Sequence, residues 1–189
     1  MLYEAGHALV ARMLPHADPV HKISIVARGM SLGQTFQLPA EDRYLFSKAQ
    51  LQDMLASSLG GRVAEEMVFR DVTTGAADDL EKATSLARGM VTRYAMSNGL
   101  GPRTFGRKEE LVFLGREISE QRNYGDKVAD EIDQQVQALI LSAYQAAKYI
   151  LSRNRAKLEQ IARRLIAEET IEGETLAQLF QEAVPQPAS

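Results

Sequence analysis

A chain of 189 residues, 45% hydrophobic and 25% charged, has the length and apolar content for one domain or two small ones with a core, and a largely disordered chain is excluded. Lys and Arg number 22 against 25 Asp and Glu, a net charge of -3 without a long basic block, so nucleic acid is not an expected partner. There is no cysteine, which excludes disulfides and thiolate metal sites and leaves His7, His16 and His21, with Asp and Glu, as the metal-ligand repertoire. No apolar run approaches the ~20 residues that span a bilayer, and Met1-Leu2-Tyr3 lacks the basic start of a signal peptide, so the chain as given is expected to be soluble and, by default, cytoplasmic.

In chain order, Leu2, Ala5, Leu9 and Met13 recur at helical spacing until Pro15, which places Tyr3, Glu4 and His7 on one short helix. Lys22 to Arg28 alternates apolar and polar side chains, Gly29 and Gly33 bracket a turn, and Gln34 to Leu38 is expected to return as a second strand. Ser47-Lys48-Ala49-Gln50 matches the capping box that opens a helix, continued by Leu51, Met54, Leu55 and Leu59. Gly60-Gly61 marks either a break or a close helix contact before a further helical segment through Val63, Met67 and Val68. The turn-like Asp71-Val72-Thr73-Thr74-Gly75 leads into a helix from Ala76 to Tyr94, with Asp78 and Asp79 in its first turn, where carboxylates are favoured.

Asn98 to Gly125, rich in glycine, reads as an irregular connection with one short apolar run, Leu111 to Leu114. From Lys127 the periodicity is strong. Val128 to Ile150 forms one long helix, Leu158 to Leu165 a second, and Leu176, Leu179 and Phe180 a short third, before a frayed Pro185-Gln186-Pro187 tail. The expected fold class is mainly α with a small β hairpin or sheet near the first helix.

The stretch Tyr3-Glu4-Ala5-Gly6-His7 differs by one residue from HExxH, in which two imidazoles one turn apart bind zinc and the Glu between them takes a proton from water. Tyr3 stands where the first imidazole would be, and a phenol, with its ordinary pKa of about 10, is outside the usual zinc set. An E-x-x-H pair alone is most often an ordinary amphipathic helix.

Six blocks add to it: EAGHALV (Glu4 to Val10), KISIVARGMSLGQT (Lys22 to Thr35), LPAEDRY (Leu38 to Tyr44), LGGRVAEEMVF (Leu59 to Phe69), TTGAADDLEKAT (Thr73 to Thr84) and ARGMVTRYAMSNGLGP (Ala87 to Pro102). In this order and at this spacing the chain resembles, over nearly its whole length, the peptidase domain of the FtsH family of membrane-bound, ATP-dependent zinc proteases. The resemblance implies a helical metallopeptidase domain over 1–189, with an active-site part at 1–100 that holds the small β element and a helical part at 125–184. Carried over by position, it implies Glu4 as general base, with His7 and Asp79 as ligands of Zn2+, and it sets Tyr3 at the place of the missing histidine. Two ligands are fewer than the three a catalytic zinc takes from protein, so impaired catalysis is expected.

What the resemblance implies functionally is the proteolytic domain of an FtsH-like zinc metalloendopeptidase, degrading unfolded, misfolded or membrane proteins by attack of a zinc-activated water on peptide bonds. It further implies a homo-hexamer working with an AAA+ ATPase module at the cytoplasmic side of a membrane. No G-x-x-x-x-G-K-[ST] occurs in the chain, so ATP would act only through that separate module. Met1 directly before the motif is expected to mark a fragment cut at the domain start or a separately encoded piece. The alternative function is a non-catalytic pseudoprotease, natural or deliberately inactivated, acting as an assembly module; a helical interaction domain unrelated to peptidases is the third.

Several residues keep two readings. Asp79 is either a metal-facing carboxylate or a compensator of the helix dipole beside Asp78. Glu65 and Glu66 orient a ligand or form a solvated face, and His16 and His21 are expected to be loop histidines. Thr73-Thr74-Gly75 is a turn that the resemblance sets beside the active site. Lys22 to Arg28 is a structural hairpin strand or an edge against which an extended substrate aligns.

Overall fold

The computed structural model describes residues 1–26, 33–37, 45–106 and 123–183. The expected turn at Gly29, the LPAEDRY block, the run Leu111 to Leu114 and the Pro185-Gln186-Pro187 tail lie outside the described residues.

Helix α1 covers Leu2–Met13 and is followed by strand β1, Val20–Ser24, and strand β2, Gln34–Gln37. Helix α2 covers Lys48–Phe69, and a 3-10 turn at Thr74–Ala76 leads into α3, Ala77–Thr92. After the connection come α4, Asp126–Arg153, α5, Arg155–Glu168, strand β3, Thr170–Glu172, and α6, Gly173–Gln181. Among the described residues the protein is mainly α with one small antiparallel sheet, as expected.

The start of α2 follows its sequence closely. Ser47 accepts from the Gln50 backbone N–H while the Gln50 side chain accepts from the Ser47 N–H, which satisfies two donors that the first turn of a helix leaves open. The expected break at Gly60-Gly61 does not occur: α2 runs through it to Phe69. Of the two readings the close contact holds. A Cβ on Gly6 of α1 would lie 2.4 Å from the Gly60 carbonyl oxygen, and one on Gly60 would lie 2.8 Å from the Gly6 carbonyl oxygen. The two helices touch backbone to backbone, and packing offsets the low helix propensity of glycine.

That contact sets α1 deep in the molecule. It buries Glu4, Ala5, Gly6, Ala8, Leu9, Val10 and Ala11 between α2, α4, α5 and the sheet. Leu9, Leu55, Leu59, Met90, Ile132, Leu151, Leu158 and Ile161 belong to one contiguous apolar cluster, drawn from both the 1–100 and the 125–184 parts.

The sheet differs from the expected hairpin in two ways. Its order is β2-β1-β3, because Thr170–Glu172 pairs antiparallel with Lys22, Ile23 and Ser24. Lys22 to Ser24 therefore lie in the central strand, already paired on both sides, and for these residues the reading as an edge that receives a substrate is overturned. The strand is also shifted relative to its expected bounds, starting at Val20 and ending at Ser24.

Register fixes what faces α1. Ile23 is fully buried and stands opposite both Thr35 and Ile171. Side chains alternate across a strand, so Thr35 turns inward with Ile23 while its exposed neighbours Gln34 and Phe36 turn out.

Candidate active site

Tyr3, Glu4 and His7 project from the first two turns of α1, where the i and i+4 positions share a face. The rings of Tyr3 and His7 meet edge to face, with centroids 4.8 Å apart. Asp79, in the first turn of α3, closes the group: the Tyr3 hydroxyl donates to its Oδ2, across 76 positions of sequence, and His7 Nε2 stands 3.1 Å from the same oxygen. Asp78 beside it is exposed, so the two adjacent carboxylates part company.

Helix α2 forms the floor. The Ser57 carbonyl lies 2.8 Å from His7 Nδ1, and because a carbonyl only accepts, Nδ1 carries the proton. One turn further on, Gly61 leaves the room that the rings occupy. A Cβ there would come within 2.5 Å of His7 Nε2 and 2.8 Å of the Tyr3 ring.

With Nδ1 protonated, Nε2 turns its lone pair toward the Asp79 carboxylate, and two acceptors 3.1 Å apart need a proton or a cation between them. The carboxylate that Nε2 faces favours a proton there. Burial works against a charged His7, but the hydrogen bond and negative charge of Asp79 outweigh it and raise the imidazole pKa above its usual value. Burial likewise pushes the Asp79 carboxyl upward, and the bonds from His7 and Tyr3 more than reverse this, leaving it below the ordinary carboxylate range. The Tyr3 phenol is raised well above its ordinary value by burial first, then by Asp79, with Glu4 and Glu65 adding negative charge, so it is neutral and donates.

As a test for zinc, the donor set fits in two positions. His7 Nε2 and the Asp79 carboxylate, 3.1 Å apart, are both of the donor types that zinc takes. The third donor is a neutral phenol already bonded to Asp79 Oδ2. Among the described residues no group of three His, Asp or Glu side chains converges for a metal.

Glu4 is 8% exposed, and Thr35 Oγ1 donates to its Oε2 at 2.7 Å. Glu65 accepts from the Thr73 hydroxyl at 3.1 Å, which ties the turn before α3 to α2, whereas Glu66 points to α4 and accepts from the Tyr144 hydroxyl at 2.7 Å. His16 is held by Asp53, through its backbone N–H at 2.8 Å and its ring Nδ1 at 3.4 Å, and His21 is exposed on β1. Both are used as ordinary surface histidines.

Sequence reasoning missed Ser57, Gly61 and Thr35 as site residues. The glycine pair was the one visible signal, and it pointed to a helix contact without saying that one of the two glycines serves the site. Thr35 closes the KISIVARGMSLGQT block, but nothing in its spacing announces a partner in α1.

The sequence description of peptidase family M41 matches residues 2–179. Over 185 residues the chain is 62% identical to the ATP-dependent zinc metalloprotease FtsH 1 of Sphaerobacter thermophilus, covering 98% of this chain and 28% of that protein. It is equally 62% identical, over 185 residues and the same shares, to the ATP-dependent zinc metalloprotease FtsH 1 of Thermomicrobium roseum. The ATP-dependent zinc metalloprotease FtsH of Thermotoga maritima is 48% identical over 181 residues, 95% of this chain and 30% of that one. The chain thus spans less than a third of the length of these relatives.

Proposed function

The chain belongs to peptidase family M41, and from that premise we propose that it is the proteolytic domain, 1–189, of an FtsH-like ATP-dependent zinc metalloendopeptidase that degrades unfolded, misfolded or membrane proteins. The observation that carries this reading is the pairing of His7 on α1 with Asp79 on α3 at 3.1 Å, with Glu4 buried one turn before His7 on the same helix.

His7 and Asp79 are the residues that would hold zinc, the metal that the relatives' names state. When bound, the metal supplies a Lewis acid for a peptide carbonyl and lowers the pKa of a water. Glu4 takes a proton from the attacking water and passes it to the departing amine nitrogen. The Ser57 carbonyl keeps the His7 proton on Nδ1, so Nε2 stays available as a donor. Tyr3 lowers both metal affinity and hydrolysis, since its neutral hydroxyl brings no imidazole and engages the Asp79 oxygen.

The same Tyr3 to Asp79 bond favours a second reading, a non-catalytic member that keeps the fold for assembly with active subunits. In either reading the domain works in a homo-hexamer with an AAA+ module, which alone uses ATP, on the cytoplasmic side of a membrane. No helix among the described residues is long and apolar enough to cross one.

Zinc per chain and cleavage of casein, measured for this chain and for Tyr3→His, test the proposal. Metal and cleavage are expected to rise sharply with the substitution. Zinc in neither protein would overturn the roles of His7 and Asp79. Full activity with Tyr3 in place would overturn the impairment, and zinc without cleavage in Tyr3→His would select the assembly reading.

A further inference from the structure

A buried carboxylate needs a hydrogen-bond donor, and the donor that the described residues give Glu4 is the hydroxyl of Thr35. Thr35 Oγ1 lies 2.7 Å from Glu4 Oε2 and 3.1 Å from the Glu4 backbone carbonyl oxygen, so β2 touches both ends of this one residue. The other carboxylate oxygen, Oε1, lies over Gly33. A Cβ at that position would be 2.7 Å from Oε1 and 2.9 Å from Glu4 Cγ. Both neighbours follow from the sheet register, because Thr35 faces inward opposite Ile23 and residue 33 enters the strand from the same side.

We propose that Thr35 and Gly33 are positioning residues for the Glu4 base: Thr35 ties down Oε2 and sets the carboxylate plane, and the bare Cα of Gly33 leaves Oε1 as the oxygen that receives the proton. The inference rests on the peptidase reading above. In the step it serves, a water O–H bond breaks as its proton passes to Oε1, and the water oxygen bonds to the peptide carbonyl carbon while the C=O π pair moves onto the carbonyl oxygen. That pair then re-forms the carbonyl as the C–N bond breaks, and the proton goes from Oε1 to the amine nitrogen, which restores the carboxylate. A neutral hydroxyl suits the task. It satisfies one oxygen without neutralising the base, as a Lys or Arg partner would, and a threonine holds it in few rotamers.

The test uses the full chain carrying Tyr3→His, loaded with zinc, with kcat and KM measured on a casein-derived peptide. Adding Thr35→Val, which keeps the shape and removes the donor, is expected to lower kcat by about 10- to 100-fold while KM and zinc per chain hold, the size of loss that a misplaced catalytic group produces. Thr35→Ser should restore most of the rate. Gly33→Ala, with the hydroxyl intact, should also lower kcat by crowding Oε1.

Unchanged kcat in Thr35→Val, no rescue by serine, or loss of zinc in step with loss of rate overturns the positioning role. A Tyr3→His parent that binds no zinc and cleaves nothing overturns the peptidase reading and this inference with it. A thermal double-mutant cycle of Thr35→Val and Glu4→Gln in the unaltered chain tells the two failures apart. Coupling between the two substitutions is expected, and strictly additive melting shifts overturn the Thr35 to Glu4 contact itself.

Discussion

Helices α1 and α4 both lie against the core, and they treat their faces in opposite ways. α4 buries Ile132, Val136, Ala143, Ala147 and Leu151, a single stripe at helical spacing, and gives its other faces to solvent. α1 is covered on nearly every side and buries Glu4 and Gly6 along with its apolar residues. A helix with one buried stripe puts its polar groups in water, so they need no fixed neighbour. A helix buried all round must find a partner for each polar side chain, and α1 does so: Glu4 with Thr35, His7 with Ser57 and Asp79, Tyr3 with Asp79. Groups held by named partners are groups held in place, which is what chemistry requires.

Substitutions on the two helices test that contrast. The largest effect is expected from Gly6→Ala, where one added carbon meets the Gly60 backbone and forces α1 and α2 apart. The cost should be on the order of 3 kcal/mol, read by urea denaturation. A change below about 1 kcal/mol would mean that the crossing is looser than described. On α4, removing one carbon from the fully buried Ile132 with Ile132→Val should cost about 1 kcal/mol, the ordinary value for a lost core methyl group.

A further difference concerns pH, since α4 has no histidine. The raised pKa of His7 means that the fold favours its protonated form. That stability is fully present below the unfolded value of about 6.5 and is lost as pH rises through the folded value. Asp79, whose pKa is lowered, contributes in the opposite sense: its stability is present above the unfolded carboxylate value and is lost as pH falls through the folded one. The metal-free chain should therefore be less stable at pH 9 than at pH 6, and His7→Gln should flatten the difference. An equal slope in that variant would place its origin elsewhere. The smallest effect belongs to Gln137→Ala on the exposed face of α4, expected within about 0.5 kcal/mol of the parent.

The helices were legible in proportion to how one-sided they are. α4, α5, α6 and the start of α2 carry a stripe or a capping box, and each stands where its pattern predicts. The continuity of α2 was not legible, because two adjacent glycines lower helix propensity locally and only the facing Gly6, more than fifty positions away, reveals the packing that offsets it. Strand β3 was missed for a related reason. It is three residues long with one buried side chain, Ile171, too short for alternation to register, and it exists because β1 accepts it. For the site, i to i+3 spacing brought Glu4 and His7 together, while Asp79 came from the resemblance. Thr35 needed the strand register, which pairing settles and local sequence does not.

One turn of α2 has a consequence of its own. Ser57 grips the proton-bearing nitrogen of His7 and Gly61, four residues on, clears the space at the other. A helical turn rises about 5.4 Å, close to the span of an imidazole with its two neighbours, so the ring is gauged against the backbone of a helix that the core already holds rigid. Its aim is thus inherited from the scaffold: whatever stands opposite Nε2, be it a carboxylate, a proton or an ion, meets a lone pair whose direction was set beforehand.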